Sequence, residues 1–152
     1  MALKEAVELL KKGIAYAKRT KYKEALAYYD KAISLDPKYP EGFVLRASVY
    51  IETGKYQEAL TDCNRALSLD QNCADAWSKK ALALFYLEKY EDAVLAGTRA
   101  TSLNGNDAGA WYVLGVCLEE TGKSNEAQTA YGRSLELEII LDIQAESKKI
   151  RK

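Results

Sequence analysis

Histidine is missing from this chain of 152 residues. Its absence removes the commonest general base, the usual nucleophilic triads and most zinc sites. Cysteine is sparse: Cys63, Cys73 and Cys117, an odd number with no C-x-x-C pair. That spacing suits neither a disulfide framework nor a metal ribbon, and it points to a reducing compartment, the cytoplasm or the nucleus. Cys63 and Cys117 fall at helical packing positions and are expected to act as small buried hydrophobes. Cys73, at a junction, is expected to be more exposed. No apolar run is long enough to cross a membrane, and Met1-Ala-Leu-Lys-Glu lacks the apolar core of a signal peptide. Neither sign of charge dominates: 22 Lys and Arg balance 22 Asp and Glu, although residues 1–31 alone carry +4. Nucleic acid is therefore not expected as a partner, because phosphate binding needs a sustained basic surface. The glycine-rich stretch 105–109 follows no strand and reads as a turn, not a phosphate cradle. No cofactor, metal or catalytic residue is expected, and no enzyme. The chain is expected to work by presenting a surface.

What is present is a self-repeat of 34 residues. It returns Lys21, Lys55, Lys89 and Lys123; Ala25, Ala59, Ala93 and Ala127; Leu35, Leu69, Leu103 and Leu137. A tiny residue recurs as Gly13, Ala47, Ala81 and Gly115, and another as Ala32, Ala66, Ala100 and Ser134. Each copy contains two amphipathic helical stretches. In the second copy Phe43, Ala47 and Tyr50 mark the first, Gly54 suits a left-handed helix end, and Ala59, Leu60, Cys63 and Ala66 mark the second. Helix axes approach closely only where side chains are small, so the tiny residues are expected at helix contacts. Aromatics such as Tyr16, Tyr29, Trp77, Trp111 and Tyr131 fill the space beside them. One such unit cannot bury its own apolar face, so four of them must stack.

These residues resemble the tetratricopeptide repeat, a helix–turn–helix of the same period. Leu9, Gly13, Tyr16, Ala25, Tyr29, Ala32 and Pro37 fill its signature in the first copy. Phe43, Ala47, Tyr50, Gly54, Ala59 and Ala66 do so in the second, with Trp77, Ala81, Ala93 and Ala100 in the third. Trp111, Leu114, Gly115, Gly122, Ala127 and Tyr131 complete the fourth. Leu84 and Leu118 replace the family's Tyr, and the closing proline appears in the first copy only. The resemblance implies an all-α, right-handed superhelical solenoid whose first helices line a concave groove. The repeats would span about 6–39, 40–73, 74–107 and 108–141, with a C-terminal helix extension at 142–152.

That geometry implies a partner-binding groove. It would be lined by Leu10, Lys11, Ile14 and Lys18 in the first copy and by Val44, Leu45, Ser48, Ile51 and Glu52 in the second. Asp75, Ser78, Lys79, Leu82, Phe85 and Tyr86 would follow from the third, then Tyr112, Val113, Val116, Glu119 and Glu120 from the fourth. So many apolar residues suit a surface meant to be covered, and the expected ligand is a protein or peptide. Lys11 and Lys18 at one end, with Glu119 and Glu120 at the other, could set its direction. Some family members grip acidic chaperone tails with a carboxylate clamp of Lys, Asn, Asn and two basic residues. Here those places hold Leu10, Ile14, Leu45, Asp75 and Lys79, so only Lys79 matches and the clamp is not expected.

From Ser124 onward no proline interrupts the chain, and the fourth second helix is expected to run on through Leu135, Ile139, Ile140, Ile143 and Ile150. It would serve as a cap that covers the fourth repeat. The alternative is an apolar helix offered to another chain or to the chain's own groove; a self-assembling structural protein, a homo-oligomer joined through this helix or by end-to-end stacking of repeats, is the second functional reading.

Overall fold

The computed structural model describes residues 1–152, and every regular element in it is an α-helix. Four antiparallel pairs follow one another: α1 (Ala2–Lys18) with α2 (Tyr22–Leu35), α3 (Pro40–Glu52) with α4 (Tyr56–Leu69), α5 (Ala74–Tyr86) with α6 (Tyr90–Leu103), and α7 (Ala108–Glu120) with α8 (Ser124–Ile150). The pairs stack into a helical solenoid.

The turn inside each pair is made the same way. The fifth residue after the aromatic or leucine near the helix end donates its N–H back to it: Lys21 to Tyr16, Lys55 to Tyr50, Lys89 to Leu84 and Lys123 to Leu118, at 2.7–3.0 Å. The bond requires a left-handed residue between them. Gly54 (φ 78°) and Gly122 (φ 80°) supply it without strain, whereas Thr20 (φ 59°) and Glu88 (φ 58°) adopt it despite a Cβ.

The recurring tiny residues are helix contacts. A Cβ on Gly13 would lie 2.4 Å from Cε1 of Tyr29, and one on Gly115 would lie 2.7 Å from Cδ1 of Tyr131. Ala25, Ala59, Ala93 and Ala127 are buried in the second helices of the pairs. The core is accordingly a ribbon of small clusters running along the stack. The largest joins Ala47, Ile51, Ala59 and Cys63 to Ala81, Leu84, Ala93 and Cys117.

Odd-numbered helices also touch across pairs, α1 with α3, α3 with α5 and α5 with α7, while no even-numbered helix reaches the next even-numbered one. The odd helices therefore form the short-radius, concave side. On the outer side clefts stand open between even helices, about 460 Å3 between α4 and α6 and about 610 Å3 between α6 and α8.

The end of α8 corrects the expectation of a cap. Nothing breaks the helix before Ile150, so it keeps its axis and projects beyond the 13-residue α7, the only helix it lies against. Its last buried residue is Leu137. Beyond that point Ile139, Ile140, Leu141, Ile143 and Ile150 are all exposed, and the fourth pair stays uncovered.

Candidate ligand-binding groove

The concave side is built from the odd helices and the first residues of the even ones. Between α1 and α3 it opens into a cleft of about 320 Å3. Ile14, Ala17 and Lys18 of α1 form one wall, and Leu45, Ser48 and Glu52 of α3 form the other. Tyr22 closes one side, and the buried Tyr29 and Val49 make the floor. The Ser48 hydroxyl donates to the Val44 carbonyl within its own helix at 3.1 Å, so it offers the cleft an acceptor more readily than a donor. Lys18 and Glu52 place one charge of each sign at the rim.

Farther along, an aromatic cluster sits where α5 meets the starts of α4 and α6. Tyr86 stacks on Tyr56 with centroids 4.6 Å apart and planes 11° from parallel. Phe85 leans on Tyr86 at 5.2 Å and on Tyr90 at 6.1 Å. Tyr86 is the exposed member, with 46% of its surface open.

The structure thus gathers Ile14, Lys18, Leu45 and Ser48 in one cleft, and Phe85 and Tyr86 in one cluster. Three expected lining residues do not face the groove. Leu10 and Val44 are 3% exposed and Ile51 is 6% exposed, because the following first helix covers each of them. They belong to three separate core clusters. Leu82, Val113 and Val116 are half-buried, and Leu82 and Val113 pack on the central core. Lys79 is half-buried, and Lys11 is exposed and bonded to Glu8 at 2.9 Å. Tyr112 is exposed and leans on Tyr131, 5.8 Å away, whose hydroxyl donates to Glu119 at 2.8 Å.

Sequence reasoning missed Tyr22, Tyr56 and Tyr90. Their signal was the repeat itself, since they recur 34 residues apart at the first position of α2, α4 and α6. It also missed Glu41, half-buried at the start of α3. Burial and then the charge of Asp75 push its carboxyl above the usual range. Glu41 and Asp75, the second residues of α3 and α5, thus set two carboxylates near each other.

A larger cleft, about 640 Å3, lies at the α5–α6 turn and the end of α7, but its walls carry Glu88, Glu91, Asp92 and Glu120 with only one lysine, Lys89. It lacks the apolar lining of the groove. Burial pushes the Cys63 thiol up to about 12 and the Cys117 thiol up to about 11, and it raises the half-buried Cys73 thiol as well. No helix is long and apolar enough to cross a membrane.

The family model described as anaphase-promoting complex, cyclosome, subunit 3 matches residues 18–96, and a tetratricopeptide repeat model matches residues 78–138. No curated protein matches the chain. Among solved structures, the first TPR of Spaghetti (RPAP3), bound to the HSP90 peptide SRMEEVD, is 32% identical over 79% of this chain and 95% of its own, with a TM-score of 0.76. The second TPR domain of human RPAP3, in complex with the HSP70 peptide SGPTIEEVD, is 25% identical over 77% of this chain and 98% of its own, with a TM-score of 0.71. MamA shares the fold at 24% identity over 97% of this chain and 81% of its own, with a TM-score of 0.76.

Proposed function

The chain belongs to the tetratricopeptide repeat family, and on that footing we propose that it is a non-enzymatic adaptor whose concave groove takes an apolar peptide or helix of another protein. The observation that carries this reading is the α1–α3 cleft. It places Ile14 and Leu45 on facing walls over an apolar floor, with charges confined to the rim. An apolar side chain entering it would be shielded on three sides, which is where binding energy concentrates. The Tyr56–Tyr86 stack farther along the groove adds a second anchoring point for an aromatic or aliphatic residue. Structural relatives that hold HSP90 and HSP70 peptides support a peptide as the ligand. Their acidic tails do not suit this chain, which sets the carboxylates of Glu41 and Asp75 near each other.

The test begins by selecting peptides from a displayed library on the folded chain. The best peptide is then titrated by calorimetry into wild type, Leu45→Lys and Leu95→Lys. Leu95 is 72% exposed on the outer side and serves as the control. Circular dichroism establishes that each variant is folded, and Ile14→Lys replaces Leu45→Lys if the latter is not. The groove variant should lose about 2 kcal/mol of affinity, roughly thirtyfold, and the outer variant nothing. The reverse pattern would move the site to the outer face.

A further inference from the structure

We propose that the projecting end of α8 pairs antiparallel, tail against tail, with α8 of a second copy.

The first support is what normally covers this surface. Where the first pair meets the second, a Cβ placed on Gly42 of α3 would lie 3.0 Å from Ile33 of α2 and 3.9 Å from Leu10 of α1. Alongside, Arg46 of α3 bonds Asp30 of α2 at 2.9 Å. Leu10, Ile33 and Asp30 thus mark the seat of a helix that runs antiparallel to α2. Three repeats later the same places hold Tyr112, Leu135 and Gly132. Tyr112 is 57% exposed, Leu135 is 58% exposed, and a Cβ on Gly132 would meet open space. The seat lies at the root of the projecting tail, and it sets the direction of a helix packed on this face as antiparallel to α8.

The tail of α8 extends that seat. At about 100° per residue, Leu135, Ile139, Ile143 and Ile150 fall within a stripe about 80° wide that Glu146 interrupts. All four are exposed. The stripe continues the direction that Leu135 and Gly132 already face.

Charge selects the occupant. The tail begins acidic, with Glu136, Glu138 and Asp142, and after Glu146 ends basic, with Lys148, Lys149, Arg151 and Lys152. Two such helices laid parallel set like charge beside like. Laid antiparallel about a two-fold axis between Ile143 and Gln144, they face Glu138 with Lys149 of the second copy, and Glu136 with Arg151 of the second copy. Each pair occurs twice by symmetry, as an isologous interface requires. The overlap from Leu135 to Lys152 is about 27 Å long. Within one chain these residues make only exposed local pairs, Arg133 with Glu136 at 3.0 Å and Lys149 with Glu146 at 2.7 Å, and both can be exchanged.

Head-to-tail stacking of whole solenoids fits less well. The face of α1 that would have to seat on α8 carries Glu8, Lys11, Lys12 and Ala15 where α3 carries Gly42, Leu45, Arg46 and Val49. All four are exposed, and three are charged.

The experiment is sedimentation equilibrium of the full chain over a wide concentration range, with Ile143→Glu, Glu138→Lys, Lys149→Glu and the double charge swap. Wild type should show a monomer–dimer equilibrium. Ile143→Glu, at an exposed position of the single chain, should raise the dissociation constant at least about a hundredfold, because it sets two more carboxylates into the seam beside Glu146. Each single charge reversal should weaken the dimer. The double swap, and an equimolar mixture of the two single variants, should restore it, since only the antiparallel register brings position 138 to position 149. A wild-type chain that stays monomeric overturns the proposal. So does a dimer indifferent to Ile143→Glu. Failure of both the double swap and the mixture to restore the dimer overturns the antiparallel arrangement.

Discussion

Arg46 of α3 holds Asp62 of α4 in a two-pronged pair, Nε donating to Oδ2 and Nη2 to Oδ1, both at 2.8 Å. Its third nitrogen donates to Asp30 of α2 at 2.9 Å, so one guanidinium joins three helices and two repeats. Asp62 is 4% exposed. The hydrogen bonds to Asp62 hold Arg46 above its already high proton affinity, against the effect of its own burial.

Arg46→Met should therefore cost about 3–5 kcal/mol in urea denaturation, because it leaves a carboxylate buried without a partner. Replacing both partners, with Arg46→Met and Asp62→Leu, should recover most of that loss. A double variant as unstable as the single would mean that packing around Arg46, and not the stranded charge, sets the cost.

Glu88→Gly should stabilise the fold. Glu88 adopts the left-handed conformation that Gly54 and Gly122 adopt freely in the equivalent turns. Relief of the Cβ clash, less the added freedom of the unfolded chain, should yield up to about 1 kcal/mol, read as a higher melting temperature. Gly54→Glu should lose a comparable amount.

Glu41→Gln should stabilise the chain at neutral pH and leave it unchanged in acid. Burial and the neighbouring Asp75 raise the Glu41 pKa in the folded state. Between the unfolded and folded values the native state therefore binds more protons than the unfolded one, and stability falls as pH rises through that window. The glutamine variant lacks this penalty. Its advantage in thermal melts should be full above the folded pKa and vanish below the ordinary glutamate value of about 4.3.

The peptide SRMEEVD should show no saturable binding in calorimetry. Leu10, whose place begins the carboxylate clamp, lies in the core, and Asp75 occupies a place where the clamp asks for a base. Glu41 adds a second carboxylate near Asp75. Micromolar binding of this peptide would show that a different set of cations serves the groove.

The helical solenoid was legible because a period of 34 constrains every level at once. Gly13 predicted a contact that proves too tight for any Cβ, and Gly54 predicted a left-handed turn. Thr20 and Glu88 were illegible at the same turn, since nothing in their side chains favours a positive φ. Leu10, Val44 and Ile51 misled for a different reason. Periodicity identifies the apolar face of a helix, but the next repeat decides how much of that face it shades. The Arg46 pair was hidden because its members sit 16 residues apart on helices whose relative rotation no local pattern gives. The tail of α8 could be read as a helix, yet its direction depends on where α7 ends.

Each outer helix packs on the inner helix of the next pair, but successive outer helices stand apart across open clefts while successive inner ones touch. Each pair is in effect a wedge hinged along its inner edge. Rotation at a hinge widens or narrows an outer cleft while leaving the inner spacing nearly fixed, and rotations at successive hinges add along the stack. The molecule is thus a leaf spring, compliant when its outer edges fan and stiff against sliding along its inner line. A ligand that spans several inner helices would draw work from that spring or store it, so the tightness of the grip and the curvature of the whole array are one coupled quantity.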